Sequence, residues 1–186
     1  MITERDLVWE TLTPGQIDFC RSEGTKRTDN GRNRGNVNDL GPKDYPSDLL
    51  RDQNAVMVEG AFKLYCNRLS VVAAWDLGPE TGKPDFVINK SLVDVKGIRL
   101  FKHRLLMQLG ERGHDDWYYV SCCAELHPKY CLKGWQRGSV IRQLATIENL
   151  QGHLGREGPC YVLDDKHLLP MRELMFIIAG IFDDLA

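Results

Sequence analysis

The sequence predicts an α/β (α+β) fold, a mixed central β-sheet of about five strands flanked by helices. Three observations carry that prediction. Short runs of β-branched and aromatic residues, bounded by Gly, Pro, Asn and Asp, recur between residues 86 and 135. Helical apolar periodicity frames them on both sides, over 48–67 and 139–150. An apolar content of 42% and a charged content of 27% over 186 residues suit one domain with its own core. The chain therefore reads as a single domain, 1–186, with a central unit at about 48–135. An N-terminal helix and basic loop occupy 1–47, and a C-terminal helical extension occupies 136–186.

Thr13-Pro14-Gly15-Gln16 has the form of a capping box with proline at the first helical position. A short helix over 14–23 is expected, stopped by Gly24 and burying Leu12, Ile17 and Cys20. Residues 24–46 then lose apolar periodicity, and Lys26, Arg27, Arg32 and Arg34 stand among Gly, Asn, Thr and Asp. A loop of this length and charge reads either as a wrap for a phosphodiester backbone or as a solvated linker diluted by Asp29, Asp39 and Asp44.

From Asp48 or Asp52 to about Asn67 the pattern is helical again. Ala55, Val56, Phe62 and Cys66 form an apolar stripe with Glu59 inside it. Val58, Ala61, Leu64 and Tyr65 carry apolar character round the helix, so it is expected to be buried on most sides. A carboxylate in that stripe requires an ion-pair partner, Lys63 or Arg51 by spacing, or a metal.

The rest of the chain is organised around 82–97. Phe86 to Ile88 and Leu92 to Val95 read as two strands, and Asn89-Lys90 as the two-residue turn between them. That turn sets Ile88 against Ser91, Val87 against Leu92, Phe86 against Val93, and Asp85 against Asp94. Like charges directly opposed on one face are destabilising, so the two carboxylates ask for a cation. Asp94 and Lys96, two apart, share a face. Two acids and a lysine on one hairpin suit Mg²⁺, with Mn²⁺ as a substitute, together with a phosphate.

Beyond the hairpin, Arg99 and Lys102 add cations. A third strand is expected at 104–109 and strong strands at 117–124 and 130–135. Ser139 is placed to cap a helix running to Leu150 through Val140, Ile141, Leu144 and Ile147. A short strand follows at 160–163. Pro170 can open a last helix ending near Leu185, apolar on many sides, which packs deeply or forms a homodimer surface.

A net charge of −2 means that nucleic-acid binding must come from a local patch rather than from the whole chain. The longest apolar stretches, such as 174–181, are too short to span a bilayer, and the first residues lack the pattern of a signal peptide. The six cysteines form no C-x-x-C pair, which fits a reduced, cytoplasmic protein. Cys123, His127 and Cys131 lack a fourth partner at zinc spacing.

The order of a helical Glu59, a Pro84-Asp85 strand, a turn, and an Asp94-Val95-Lys96 strand resembles the PD-(D/E)xK nuclease superfamily, whose fold is restriction-endonuclease-like. Val58-Glu59-Gly60-Ala61, Leu132-Lys133-Gly134-Trp135-Gln136-Arg137-Gly138 and Gly158-Pro159-Cys160-Tyr161-Val162-Leu163 extend the likeness to small phage-encoded members. The resemblance implies Mg²⁺-dependent hydrolysis of DNA, most readily by an endonuclease, in a bacterium or phage-infected host cell. Asp85 and Asp94 would hold the metal, with the Val95 carbonyl as a third oxygen and Glu59 helping through water or at a second ion. Lys96 would serve the attacking water. Arg99, Lys102 and the cations Lys26, Arg27, Arg32 and Arg34 would contact phosphates. Gln108 raises a RecB-like exonuclease as an alternative, although those enzymes carry the Gln on a helix and 104–109 reads as a strand. A further alternative is a silent nuclease-fold module that binds DNA or a protein.

Overall fold

A computed structural model describes residues 2–33, 45–78, 82–109, 114–149 and 159–180, without the side chains of 31–33 and 45–47. Its strands are β1 (Val8–Thr11), β2 (Ala74–Trp75), β3 (Phe86–Ile88), β4 (Ser91–Ile98), β5 (Leu105–Gln108), β6 (Tyr118–Leu126), β7 (Lys129–Arg137), β8 (Thr146–Asn149) and β9 (Pro159–Leu163). Its helices are α1 (Pro14–Asn33), α2 (Tyr45–Arg68), α3 (Gly138–Leu144) and α4 (Met171–Ala179). Six strands form one sheet in the order β1-β7-β6-β4-β3-β2, and three form a second in the order β5-β9-β8. The larger sheet is mixed, because β4 and β6 run parallel while their other neighbours are antiparallel. The α/β (α+β) class is therefore what the chain adopts.

Strand alternation sorts the central strands into two faces. Val93 and Val95 of β4, with Val120 and Cys122 of β6, enter the main core beside Val58, Phe62 and Tyr65 of α2. Asp94, Lys96 and Ile98 alternate with them and take the opposite face, in register with Tyr119, Ser121 and Cys123. That second face is covered in part by a separate core of Leu105, Met107, Tyr119, Ile141 and Leu163.

The hairpin has the expected register: Phe86 opposes Val93, Val87 opposes Leu92 and Ile88 opposes Ser91. Asn89 and Lys90 both have positive φ, 47° and 71°, as a two-residue turn of this hand requires. The capping box also forms, with the Thr13 N–H donating to Gln16 Oε1 at 2.8 Å and the Gln16 N–H donating to Thr13 Oγ1 at 3.4 Å.

Several expectations are corrected. Helix α1 does not stop at Gly24 but runs to Asn33, so the basic stretch Lys26–Arg27 is helical rather than looped. Gly24 is a contact point: a Cβ there would lie 2.5 Å from the Gln53 Cα of α2. The expected loop over 34–44 lies outside the described residues. Strand β5 does not join the main sheet, which gains β1 and β2 instead. The expected helix over 139–150 ends at Leu144, and Thr146–Asn149 is strand β8, paired with β9. The C-terminal part is accordingly mixed rather than helical. The last helix runs to Ala179 and ends at Gly180 in the left-handed conformation; residues 181–186 lie outside the description.

Candidate active site

The β3–β4 ladder stops at the Phe86–Val93 pair, one step short of the expected Asp85–Asp94 pair. Past that end the Val95 N–H has no strand partner on this side and donates to Asp85 Oδ2 at 2.6 Å. The Asp85 side chain thus does what a longer strand would have done. Its own carbonyl accepts from the Asp76 N–H at 2.9 Å, which fixes the residue at the edge between β2 and β3. On β4, Lys96 Nζ lies 2.5 Å from Asp94 Oδ2, and its ammonium stands 5.9 Å from the centre of the Tyr119 ring.

Asp94 is buried, 7% exposed, and Lys96 keeps about a quarter of its side-chain surface open, 27%. Burial first, then the neighbouring Asp94 carboxylate and Glu59, push the Asp85 carboxyl well above the usual carboxylate range; Lys96 pulls it back only in part. Two carboxylates that crowd one another at the end of a ladder form a site that takes up positive charge, either a proton or a metal.

Glu59 is fully buried in α2, 2% exposed. Its partner is neither Lys63 nor Arg51. Lys63 donates to the Ala73 carbonyl, and Arg51 pairs with Asp48 and Asp52. Arg27 of α1 grips Glu59 with both terminal nitrogens, at 2.8 and 3.0 Å, and Trp75 Nε1 donates to the same carboxylate at 2.9 Å. Arg27 also lies in the field of Asp85 and Asp52. It is therefore an internal counter-ion of this cluster.

The described structure brings together Arg27, Glu59, Asp85, Asp94, Val95 and Lys96. Lys26, Arg99 and Lys102 are exposed outside that cluster, and Lys26 pairs with Glu23. Arg34 and the side chain of Arg32 lie outside the described residues. Gln108 lies on β5, opposite Cys160, and not on a helix. Trp75, Tyr119 and Ser121 were not anticipated. Ser121, in register with Lys96, is fully buried and its hydroxyl has no partner among the described residues. Only the register of β4 with β6 reveals Tyr119 and Ser121, and that pairing is not local in sequence.

Among the described residues no three His, Cys, Asp or Glu side chains converge as metal ligands would. Asp85 and Asp94 each engage one oxygen, Oδ2, with the Val95 N–H and Lys96, and leave the other for a cation, whereas both oxygens of Glu59 are held by Arg27 and Trp75. Hard oxygen donors in that number fit Mg²⁺, which usually takes one or two carboxylates and completes its shell with water and substrate phosphate. Compared with family models, curated proteins and solved structures, the chain matches none. Among the described residues no helix is long and apolar enough to cross a membrane.

Proposed function

We propose that this protein is a metal-dependent DNA nuclease that hydrolyses phosphodiester bonds, acting as an endonuclease. One observation carries the reading: Asp85, Asp94 and Lys96 meet at the point where the β3–β4 ladder ends. Mg²⁺ or Mn²⁺ held by Asp85 and Asp94 would polarise the scissile phosphate and lower the pKa of a bound water. Lys96 is the group beside them with an open face. As the neutral amine it would take the attacking water's proton; as the ammonium it would orient that water or offset charge growing on the phosphate. Asp94 holds the Lys96 ammonium in place, and the Val95 N–H holds Asp85. The open quarter of the Lys96 side chain is where substrate would reach the cluster.

A second reading has an observation in its favour. The two-pronged Arg27–Glu59 pair neutralises the helical acid, as a structural ion pair in a silent, nucleic-acid-binding or protein-binding module would. The two readings separate when purified protein is incubated with supercoiled, linear and branched DNA plus Mg²⁺ or Mn²⁺. Cleavage is expected, with Lys96→Ala slower by about 10²–10⁴-fold and Asp94→Ala inactive. Equal cleavage by wild type and variants, or none at all, rejects the nuclease and leaves the silent module.

A further inference from the structure

On the sheet face that carries Asp94 and Lys96, the next side chain along β4 is Ile98, in register with Cys123 of β6. Cys123 opposes Cys131 of β7, and Cys131 opposes Trp9 of the edge strand β1. The face therefore continues past Lys96 to Ile98 and then in one row to Trp9, across three strand spacings or about 14 Å from Ile98. At its end lies a groove of about 180 Å³ lined by Trp9, Phe101, Cys123, Glu125 and Leu126. Trp9 and Phe101 are 37% and 39% exposed, large apolar rings left open to solvent.

The two rings are braced. The Phe101 N–H donates to Glu125 Oε2 at 2.5 Å, and its carbonyl accepts from buried Lys133 Nζ at 2.7 Å. Lys133 also binds the His103 carbonyl and the Asp165 carboxylate, so its three protons tie this loop to Asp165. Each ring has a lysine on it: Lys129 Nζ is 4.7 Å from the Trp9 ring centre and Lys133 Nζ is 4.8 Å from that of Phe101. Neither lysine lines the groove. Arg99 and Lys102 flank Phe101 in sequence, are exposed, and have no charged partner among the described residues. Glu125 is the one carboxylate in the lining, and it is engaged by the Phe101 backbone.

We propose that the groove between Trp9 and Phe101 is a nucleobase cleft that holds one unpaired base of a single-stranded nucleic acid, with Arg99 and Lys102 on its phosphates. Aromatic walls and flanking cations are the combination by which single strands are bound without sequence readout. The inference rests on the nuclease reading only for the occupant being a nucleic acid, and it gives that reading a substrate class: DNA with an unpaired segment.

The test is fluorescence anisotropy of a labelled oligodeoxyadenylate in EDTA, where no cleavage occurs, against a duplex of the same length. Wild type is expected to prefer the single strand. Trp9→Leu and Phe101→Leu, which keep apolar bulk, each weaken single-strand binding about 5- to 100-fold and leave duplex binding unchanged. Trp9→Phe and Phe101→Trp retain binding. Leucine variants that bind like wild type overturn the cleft, as does wild type without single-strand preference. A Trp9→Leu change confined to sedimentation also overturns it, because the groove is then a contact between copies. Because Phe101 lies on a loop, its variants keep the test open if Trp9→Leu fails to fold. Wild type that cleaves nothing, with base-dependent binding intact in it and in Asp94→Asn, refutes the nuclease and spares the cleft; cleavage with unaffected leucine variants does the reverse.

Discussion

At the scale of single residues the site is a balance of charge taken out of water. Asp85 has its carboxyl pushed up by burial, by Asp94 and by Glu59. The folded protein therefore binds that proton more tightly than the unfolded chain does. The stability this contributes is complete below the ordinary carboxylate pKa and is lost as pH rises through the raised one. Metal-free protein should lose urea resistance from acid toward neutral pH, with a slope of at most about 1.4 kcal/mol per pH unit for one proton. Asp85→Asn removes that slope, and Mg²⁺ stabilises wild type more as pH rises, because cation and proton compete for one carboxylate. Parallel slopes for wild type and Asp85→Asn in EDTA would contradict this. Arg27 presents the complementary case. Its side chain is 18% exposed and that of Glu59 only 3%, so removing the guanidinium strands a buried carboxylate on one indole N–H. Arg27→Met should cost about 3–5 kcal/mol, and Glu59→Gln added to it should recover much of the loss. Arg27→Lys should recover little, since a single ammonium cannot reproduce the fork. Denaturant unfolding of wild type, Arg27→Met, Glu59→Gln and the double variant gives the coupling directly, and additive losses would remove the pair from the account of the site.

At the scale of elements, legibility followed how local the determining contacts are. The hairpin was readable because its turn, its register and its two acids sit within 82–97 and need no distant partner. Its turn also shows a compromise: Lys90 has φ of 71° without the freedom of glycine. Lys90→Gly should raise stability by about 1 kcal/mol, seen as a shifted urea midpoint at unchanged slope. An unchanged or lower midpoint would mean that Lys90 makes a compensating contact. Helix α1 was misread for the opposite reason. Its seam with α2 is polar: Gly24 against Gln53, Thr28 Oγ1 on Asp52 at 2.8 Å, Gln53 Nε2 on Thr25 at 3.2 Å, and Arg27 on Glu59. A search for apolar periodicity passes over such a face, and a glycine chosen for close approach looks like a stop. The stretch 139–150 erred the other way. Its 3.6-residue apolar spacing is real, yet Ile147 is 60% exposed, because Thr146–Asn149 finds β9, and that partner is visible only in the fold.

At the scale of the molecule, the main core gathers α1, α2, β3, β4, β6 and α4, and the far end of the chain braces the site. Met171, Leu174, Met175 and Ile178 of α4 are buried there, and Asn89 Nδ2 of the hairpin turn donates to the Ile178 carbonyl at 3.1 Å. The small sheet of β5, β9 and β8 packs instead on a separate, smaller cluster, so the two sheets need not open together. The cysteines report on this division, because all six are buried, none is in a disulfide, and they are spread across it. Cys20, Cys66 and Cys122 lie in the main core, where burial pushes the Cys20 thiol up to about 11 and the Cys66 thiol up to about 12. None of these should react with a thiol reagent at neutral pH while the sheet is closed, since the thiolate is the nucleophile. Cys160 is also buried, but on β9, between β5 and β8 in a sheet of only three strands. Opening that sheet exposes far less apolar surface than opening the main core and should cost correspondingly less. Time-resolved labelling with mass mapping below the unfolding midpoint should therefore find Cys160 modified first, with Cys20, Cys66 and Cys122 following together at the rate of global unfolding. If Cys160 is protected as long as Cys122, the two sheets open as one unit, and the small sheet is a structural part of the face that carries Asp94 and Lys96 rather than an appendage to it.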